Sequence, residues 1–153
     1  MPKVIISDTS CLIILTKIGA LDLLYQLYKK VTITQDIQLE YGDKLPDWIK
    51  IKRVKDQYRQ QLLEMHIDRG EASAIALAME TAKSIVILDD YKARKVAELL
   101  GISVTGTVGV IIKAKNSGII SSIKPYLEKI RETNFRISDE LEQIALGEAN
   151  EKK

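Results

Sequence analysis

Four short runs rich in β-branched residues, KVIIS (3–7), KVTIT (30–34), SIVIL (84–88) and ISVTG (102–106), punctuate the chain. Each is followed by apolar residues at helical spacing, as in CLIILTKI, QDIQLEYG, YKARKVAELLG and VGVIIKAKNSG. A strand that hands over to a helix before the next strand must return along the same direction, so neighbouring strands pair in parallel. Parallel sheets bury both faces under helices, which is why their strands read as continuous apolar runs. The pattern predicts an α/β protein, a three-layer α/β/α sandwich with a mostly parallel central sheet. A further segment, WIKIKRVK (48–55), alternates apolar and basic residues, as an edge strand guarded by lysine does.

Glycine punctuates the helical stretches. Gly19 separates CLIILTKI from ALDLLYQLY, Gly42 closes QDIQLEYG, Gly70 precedes the alanine-rich EASAIALAMETAK, and Gly101 ends YKARKVAELL. DQYRQQLLEMHI and IKPYLEKIRET are also helical. Ser138 or Asp139 is a helix cap in SDELEQIALGEANEKK, which then frays into charge. The sequence divides as one domain over 1–140 and a charged C-terminal tail over 141–153.

The bulk numbers exclude several classes. At 153 residues, 46% hydrophobic and 29% charged, the chain matches one ordinary globular domain. A net charge of +2 demands no polyanionic partner, although it says nothing about local charge. The only cysteine is Cys11 and the only histidine His66, too few for a zinc cluster of the usual kind. Cys11 sits in an apolar run and reads as a buried small hydrophobe. No segment approaches the ~20 apolar residues of a membrane span, and MPKVIISDTS lacks the features of a signal peptide. A cytoplasmic location is the expectation.

Against this background one carboxylate stands out. In VIISDTSCLIILTK, Asp8 interrupts two apolar segments, and burying an ionised carboxylate without a partner is costly. Either Asp8 caps a helix or something positive sits beside it. In parallel α/β sheets, ligands bind at the carboxyl ends of the strands. Asp8 follows KVIIS, Asp89 and Asp90 follow SIVIL, Glu40 lies on the short helix after KVTIT, and Glu71 opens the alanine-rich helix. Singly, each has an ordinary explanation in helix capping, the helix dipole or a solvated charge. Together they crowd like charge at one sheet edge, and a divalent cation relieves the repulsion. Carboxylates without His or Cys fit Mg²⁺ or Mn²⁺, ions that serve phosphate chemistry.

The basic residues are less specific. Lys92 and Arg94 follow the Asp pair and could contact phosphate, or simply belong to a solvated helix face. Lys50 and Lys52, with Trp48 and Tyr58 nearby, could hold single-stranded nucleic acid or merely protect an edge strand. VTGTVG leads from strand to helix, and Thr105 or Thr107 could cap that helix. It lacks the lysine of a P-loop. Asp68 reads as a loop or capping residue.

The segments DTSCLIIL, ITQDIQLEY, DRGEASAIALA and VILDDYKARKVAELLGISVTGTVGVIIKAKNSGII resemble the PIN-domain proteins. The likeness is to the prokaryotic branch related to the toxins of virulence-associated toxin–antitoxin pairs. It implies a flavodoxin-like α/β/α sandwich and a metal-dependent ribonuclease acting on single-stranded RNA. By resemblance, Asp8 matches the first acidic ligand, Glu40 the second, and Glu71 the third, where relatives often carry Asp. Asp90 matches the Asp of a Thr-x-Asp pattern. Here Leu88 replaces the Thr and Asp89 precedes Asp90, which leaves open which of the two faces the metal. Ser10 resembles the position whose hydroxyl supports the first Asp. A homodimer and a small antitoxin protein that plugs the acidic groove are also implied.

Three functions are therefore on the table. The leading one is a Mg²⁺- or Mn²⁺-dependent endoribonuclease, with Asp8, Glu40, Glu71, Asp89 and Asp90 as candidate ligands. The second is a non-catalytic RNA- or protein-binding module on the same fold. The third, a phosphoreceiver or nucleotide-binding domain, lacks a convincing pair of mid-fold Asp and late Lys.

Overall fold

The computed structural model describes residues 3–151. Five strands, β1 (Val4–Ser7), β2 (Val31–Thr34), β3 (Ile49–Lys52), β4 (Ser84–Ile87) and β5 (Ser103–Thr105), form one sheet in the order β3-β2-β1-β4-β5. Every pairing is parallel. The sheet is thus parallel throughout, and WIKIKRVK supplies an edge strand as its alternation predicts.

Helices cover both faces. In chain order they are α1 (Thr9–Lys17), α2 (Asp22–Tyr28), α3 (Gln35–Tyr41), α4 (Gln57–Leu63), α5 (Arg69–Met79), α6 (Tyr91–Leu99), α7 (Thr107–Asn116), α8 (Lys124–Arg131) and α9 (Asp139–Glu148). The alanine-rich α5 packs against β1, β2 and β4 and is flanked by α3, α4 and α6. Its residues Ala72 to Ala78 are all buried, because small side chains let the helix lie close to the sheet. α7 packs against α1, α2 and α9. The result is the expected α/β/α sandwich.

Chain order decides where a ligand can bind. The chain leaves central β1 for β2 and β3, then returns across β1 to add β4 and β5. The direction of winding reverses between β1 and β4, and such a switch point opens a crevice at the carboxyl ends of the strands. Asp8 and Asp89 flank that reversal. The Asp8 N–H donates to the Ile87 carbonyl at 3.0 Å, continuing the β1–β4 ladder into the loops.

The C-terminal stretch departs from the expectation of a fraying tail. α9 runs across residue 140, with Ser138 as its N-cap, and buries Ala145, Leu146 and Ala149. Lys115 on α7 donates to the Ala149 carbonyl at 2.6 Å. Glu151 accepts from Ser122 Oγ at 2.6 Å and the Ile123 N–H at 2.8 Å. Charge on the outer face hides the apolar positions that seat this segment on α7. No helix among the described residues is long and apolar enough to cross a membrane.

Candidate active site

Asp8 resolves the problem its sequence position poses. It is 2% exposed and is the N-cap of α1. Its Oδ1 accepts the Cys11 N–H at 2.9 Å, and its Oδ2 accepts the Asp89 N–H at 3.1 Å. One carboxylate therefore caps a helix and ties the loop after β1 to the loop after β4. These bonds favour the charged form, but burial opposes it more strongly. Burial first, and then the carboxylates of Asp89 and Glu71, push the Asp8 carboxyl well above its ordinary range.

Glu71 lies in the first turn of α5, half-buried. Its N–H donates to Oδ1 of Asp68, the N-cap of that helix, at 3.0 Å. Burial, followed by the charges of Asp68 and Asp90, pushes Glu71 up to about 7. Glu40 reaches the same place from α3, where its Oε1 accepts from the Thr9 hydroxyl. Gly70 makes room for it: a Cβ there would stand 2.6 Å from Glu40 Oε1. Asp8, Thr9, Ser10, Glu40, Asp68 and Glu71 line one cavity of about 420 Å³, whose other walls include Ile13, Lys17 and Phe135.

The Asp pair divides its work. Asp90 is the N-cap of α6 and accepts the Ala93 N–H at 3.0 Å. Asp89 accepts the Thr107 N–H at 2.8 Å and the Thr107 hydroxyl at 2.6 Å. Neither Thr105 nor Thr107 caps α7 with its side chain. Gly106 is the N-cap and brings no side-chain bond, so Asp89 supplies the missing acceptor from a different loop. Arg94 donates to the Leu88 carbonyl at 2.9 Å and lines a second cavity of about 480 Å³ with Asp89 and Phe135.

The structure separates some candidates from this centre. Lys50 and Lys52 stand on edge strand β3, two strands from β1, and line another hollow with Lys3, Lys30 and Tyr28. Lys92 is exposed on α6. Cys11 is fully buried, and burial together with the charges of Asp8 and Asp89 pushes its thiol well up, so it packs and does not react. Sequence reasoning missed that Thr9 and Thr107 hold acids of the site, that Gly70 makes room for Glu40 and that Phe135 lines the cavity. Asp68, read as a cap, also adds a carboxylate to the cavity.

The donor set consists of carboxylate oxygens, the chemistry that suits a hard divalent ion. Neighbouring carboxylates add to burial in pushing Asp8 and Glu71 up. Among the described residues, however, no three Asp, Glu, His or Cys side chains stand close enough together to hold an ion directly. The residues fit such an ion in kind, with water completing the distance, as Mg²⁺ commonly requires.

A parallel α/β sandwich that turns acids from four separate segments towards the carboxyl ends of its strands is the class of protein that the fold and site define. The chain belongs to the PIN-domain family, whose model matches residues 4–151. No curated protein and no solved structure matches the chain.

Proposed function

We propose that the protein is a Mg²⁺- or Mn²⁺-dependent endoribonuclease that hydrolyses single-stranded RNA, acting as the toxin of a pair with a small antitoxin. The observation that carries this reading is Asp8: a carboxylate with almost no exposure, at the switch point, crowded by Asp89 and Glu71. A fold keeps so costly an arrangement where a cation is to be held. Asp8, Glu40, Glu71 and Asp89 or Asp90 would hold the ion, in part through water. When bound, it supplies an acidified water and charge neutralisation at phosphorus.

The chain's own residues do the positioning. Two backbone N–H groups fix both oxygens of Asp8, the Thr9 hydroxyl fixes Glu40, and Asp68 fixes the backbone at Glu71. Lys17 at the cavity wall offers a charge to the phosphate that enters. Hydrolysis forms one P–O bond to the water oxygen and breaks the one to the leaving ribose oxygen, which takes up the proton that the water gives up, so two RNA ends remain.

The reading is tested with purified protein, labelled single-stranded and duplex RNA, and Mn²⁺, Mg²⁺ or EDTA. Wild type cuts the single strand with Mn²⁺ and not with EDTA, and Asp8→Asn lowers kcat by roughly 100-fold or more. Equal cutting by wild type and Asp8→Asn refutes the assigned site. The dispersed carboxylates and Leu88 in place of Thr favour a second reading, a binding module without catalysis. Under it, Mn²⁺ titration shows no binding that Asp8→Asn abolishes.

A further inference from the structure

The candidate catalytic cavity carries a contradiction that the nuclease reading must meet. Four of its lining residues are acidic, Asp8, Glu40, Asp68 and Glu71, against a single Lys17. A phosphodiester entering it is repelled until a cation screens the acids. A contact through the uncharged half of a nucleotide, its flat base, holds the substrate without depending on that balance of charge.

The structure offers one aromatic surface there. Phe135 is the chain's only phenylalanine and lies between α8 and α9. Its segment is tied down on both sides. Ile130 and Ile137 are buried, the Thr133 hydroxyl donates to the Ile130 carbonyl at 2.6 Å, and it accepts the Phe135 N–H at 3.1 Å. The ring is half-buried, so it packs on the core and still keeps surface open. It lines the acidic cavity of about 420 Å³ and also the cavity of about 480 Å³ that contains Asp89. Phe135 thus borders two hollows that hold acids of the same centre, and also a third beside Arg131 and Arg136. Asn134 beside it is exposed and carries an amide able to meet a base edge.

We propose that Phe135 is a base-stacking residue of the RNA site, the surface on which an unpaired nucleobase rests while its phosphate faces the carboxylates. The proposal deepens the nuclease reading and rests on it. It also gives a physical origin for single-strand selectivity: a base in a duplex is already stacked and paired, and cannot reach a ring that lines a cavity. Phe135 acts here as a positioning residue.

The test is equilibrium binding of a short labelled single-stranded RNA in Ca²⁺, with a single abasic residue moved along its length. Stacking is worth ~1–3 kcal/mol per base by side-chain truncation, so Phe135→Leu weakens binding of the intact strand by about 5- to 150-fold. One abasic position costs wild type a similar factor and costs Phe135→Leu nothing, while Phe135→Trp keeps the wild-type pattern. Phe135→Leu retains apolar volume, and a melting temperature within a few degrees of wild type shows that the fold is intact. If Phe135→Leu binds like wild type, or no abasic position couples to residue 135, the stacking role is overturned. Cleavage by wild type in Mn²⁺ without that coupling overturns the stacking role alone. Coupling without cleavage overturns the nuclease reading and supports the stacking surface.

Discussion

Gly70→Ala separates the two things a site residue can do, because stability and activity are expected to move in opposite directions. Gly70 is buried in the first turn of α5, with ordinary helical backbone, so alanine suits its conformation. Replacing glycine by alanine in a helix stabilises by ~0.5–1 kcal/mol. The added Cβ would stand 2.6 Å from Glu40 Oε1 and 3.4 Å from its Cδ, while Thr9 Oγ1 stays at 3.6 Å. Ordinary carbon–oxygen contact needs about 3.4 Å or more, so the Glu40 carboxylate must retreat by roughly 0.8 Å. Glu40 is exposed, so retreat of its carboxylate towards solvent costs little folding energy. It does break the alignment that the Thr9 hydroxyl sets, and displacement of a catalytic group by ~1 Å can cost 100-fold in rate. The melting temperature in EDTA is therefore expected to hold or rise by ~1–4 °C. Cleavage of single-stranded RNA in Mn²⁺ is expected to fall by ~10- to 100-fold. A double-mutant cycle completes the assay. Because both changes act through one carboxylate, Gly70→Ala with Glu40→Gln cuts no more slowly than Glu40→Gln alone. A Gly70→Ala enzyme of wild-type rate, or strictly additive losses, refutes the assignment of Glu40 to the site.

Two further changes probe how the fold supports this centre. Thr107→Val keeps the shape of a fully buried residue but removes its hydroxyl bond to Asp89 Oδ2, costing ~1–2 kcal/mol, or ~2–8 °C by thermal melting, and lowering cleavage as Asp89 loosens. Unchanged melting and cleavage together would show that the bond does not hold Asp89. At the other end, burial pushes the Glu151 carboxyl up, but the Ser122 and Ile123 bonds and the nearby Lys115 and Lys124 outweigh it, leaving the group below its ordinary value. A depressed carboxyl stabilises above its unfolded value and loses that contribution as pH falls through the folded one. Glu151→Gln therefore melts below wild type near pH 7, and the gap closes as the pH is lowered below the ordinary carboxylate range. A gap that persists unchanged into acid shows that charge at residue 151 does not stabilise the fold.

What was legible in the sequence follows from the range of the interactions. The β-branched runs name the strands because burial on both sheet faces leaves no polar alternation to blur them. Asp8 is legible because it violates its apolar surroundings. Glu40 is less so: it is an exposed acid on a short helix, which its place after a strand end marks as a candidate and to which only the family resemblance gives a ligand's role. Capping of α7 was misread because sequence reasoning looks for a local acceptor, whereas Asp89 arrives from 18 positions earlier. The alternation around Lys50 and Lys52 announces an edge strand, but not which edge, and strand order puts them two strands away from β1 and the acids. Residues beyond 140 look like a solvated tail because acids and lysines outnumber the few apolar positions that α9 buries.

The two explanations offered for Asp8, a helix cap or an ion ligand, turn out not to compete. Each carboxylate oxygen has two acceptor directions. The Cys11 N–H takes one on Oδ1 and the Asp89 N–H one on Oδ2, so a direction remains on each. The cap fixes the carboxylate against the ends of β1 and β4, and that rigidity is what a ligand needs if it is to present charge without reorganising. Two N–H bonds do not offset burial, since the group still sits well above its ordinary range. Structure alone has therefore not balanced the charge: an acid serving only as a cap would sit at the surface, where water solvates its second lone pairs at no cost. Burial beside Asp89 and Glu71 makes sense for a carboxylate whose remaining oxygen directions are reserved for something positive.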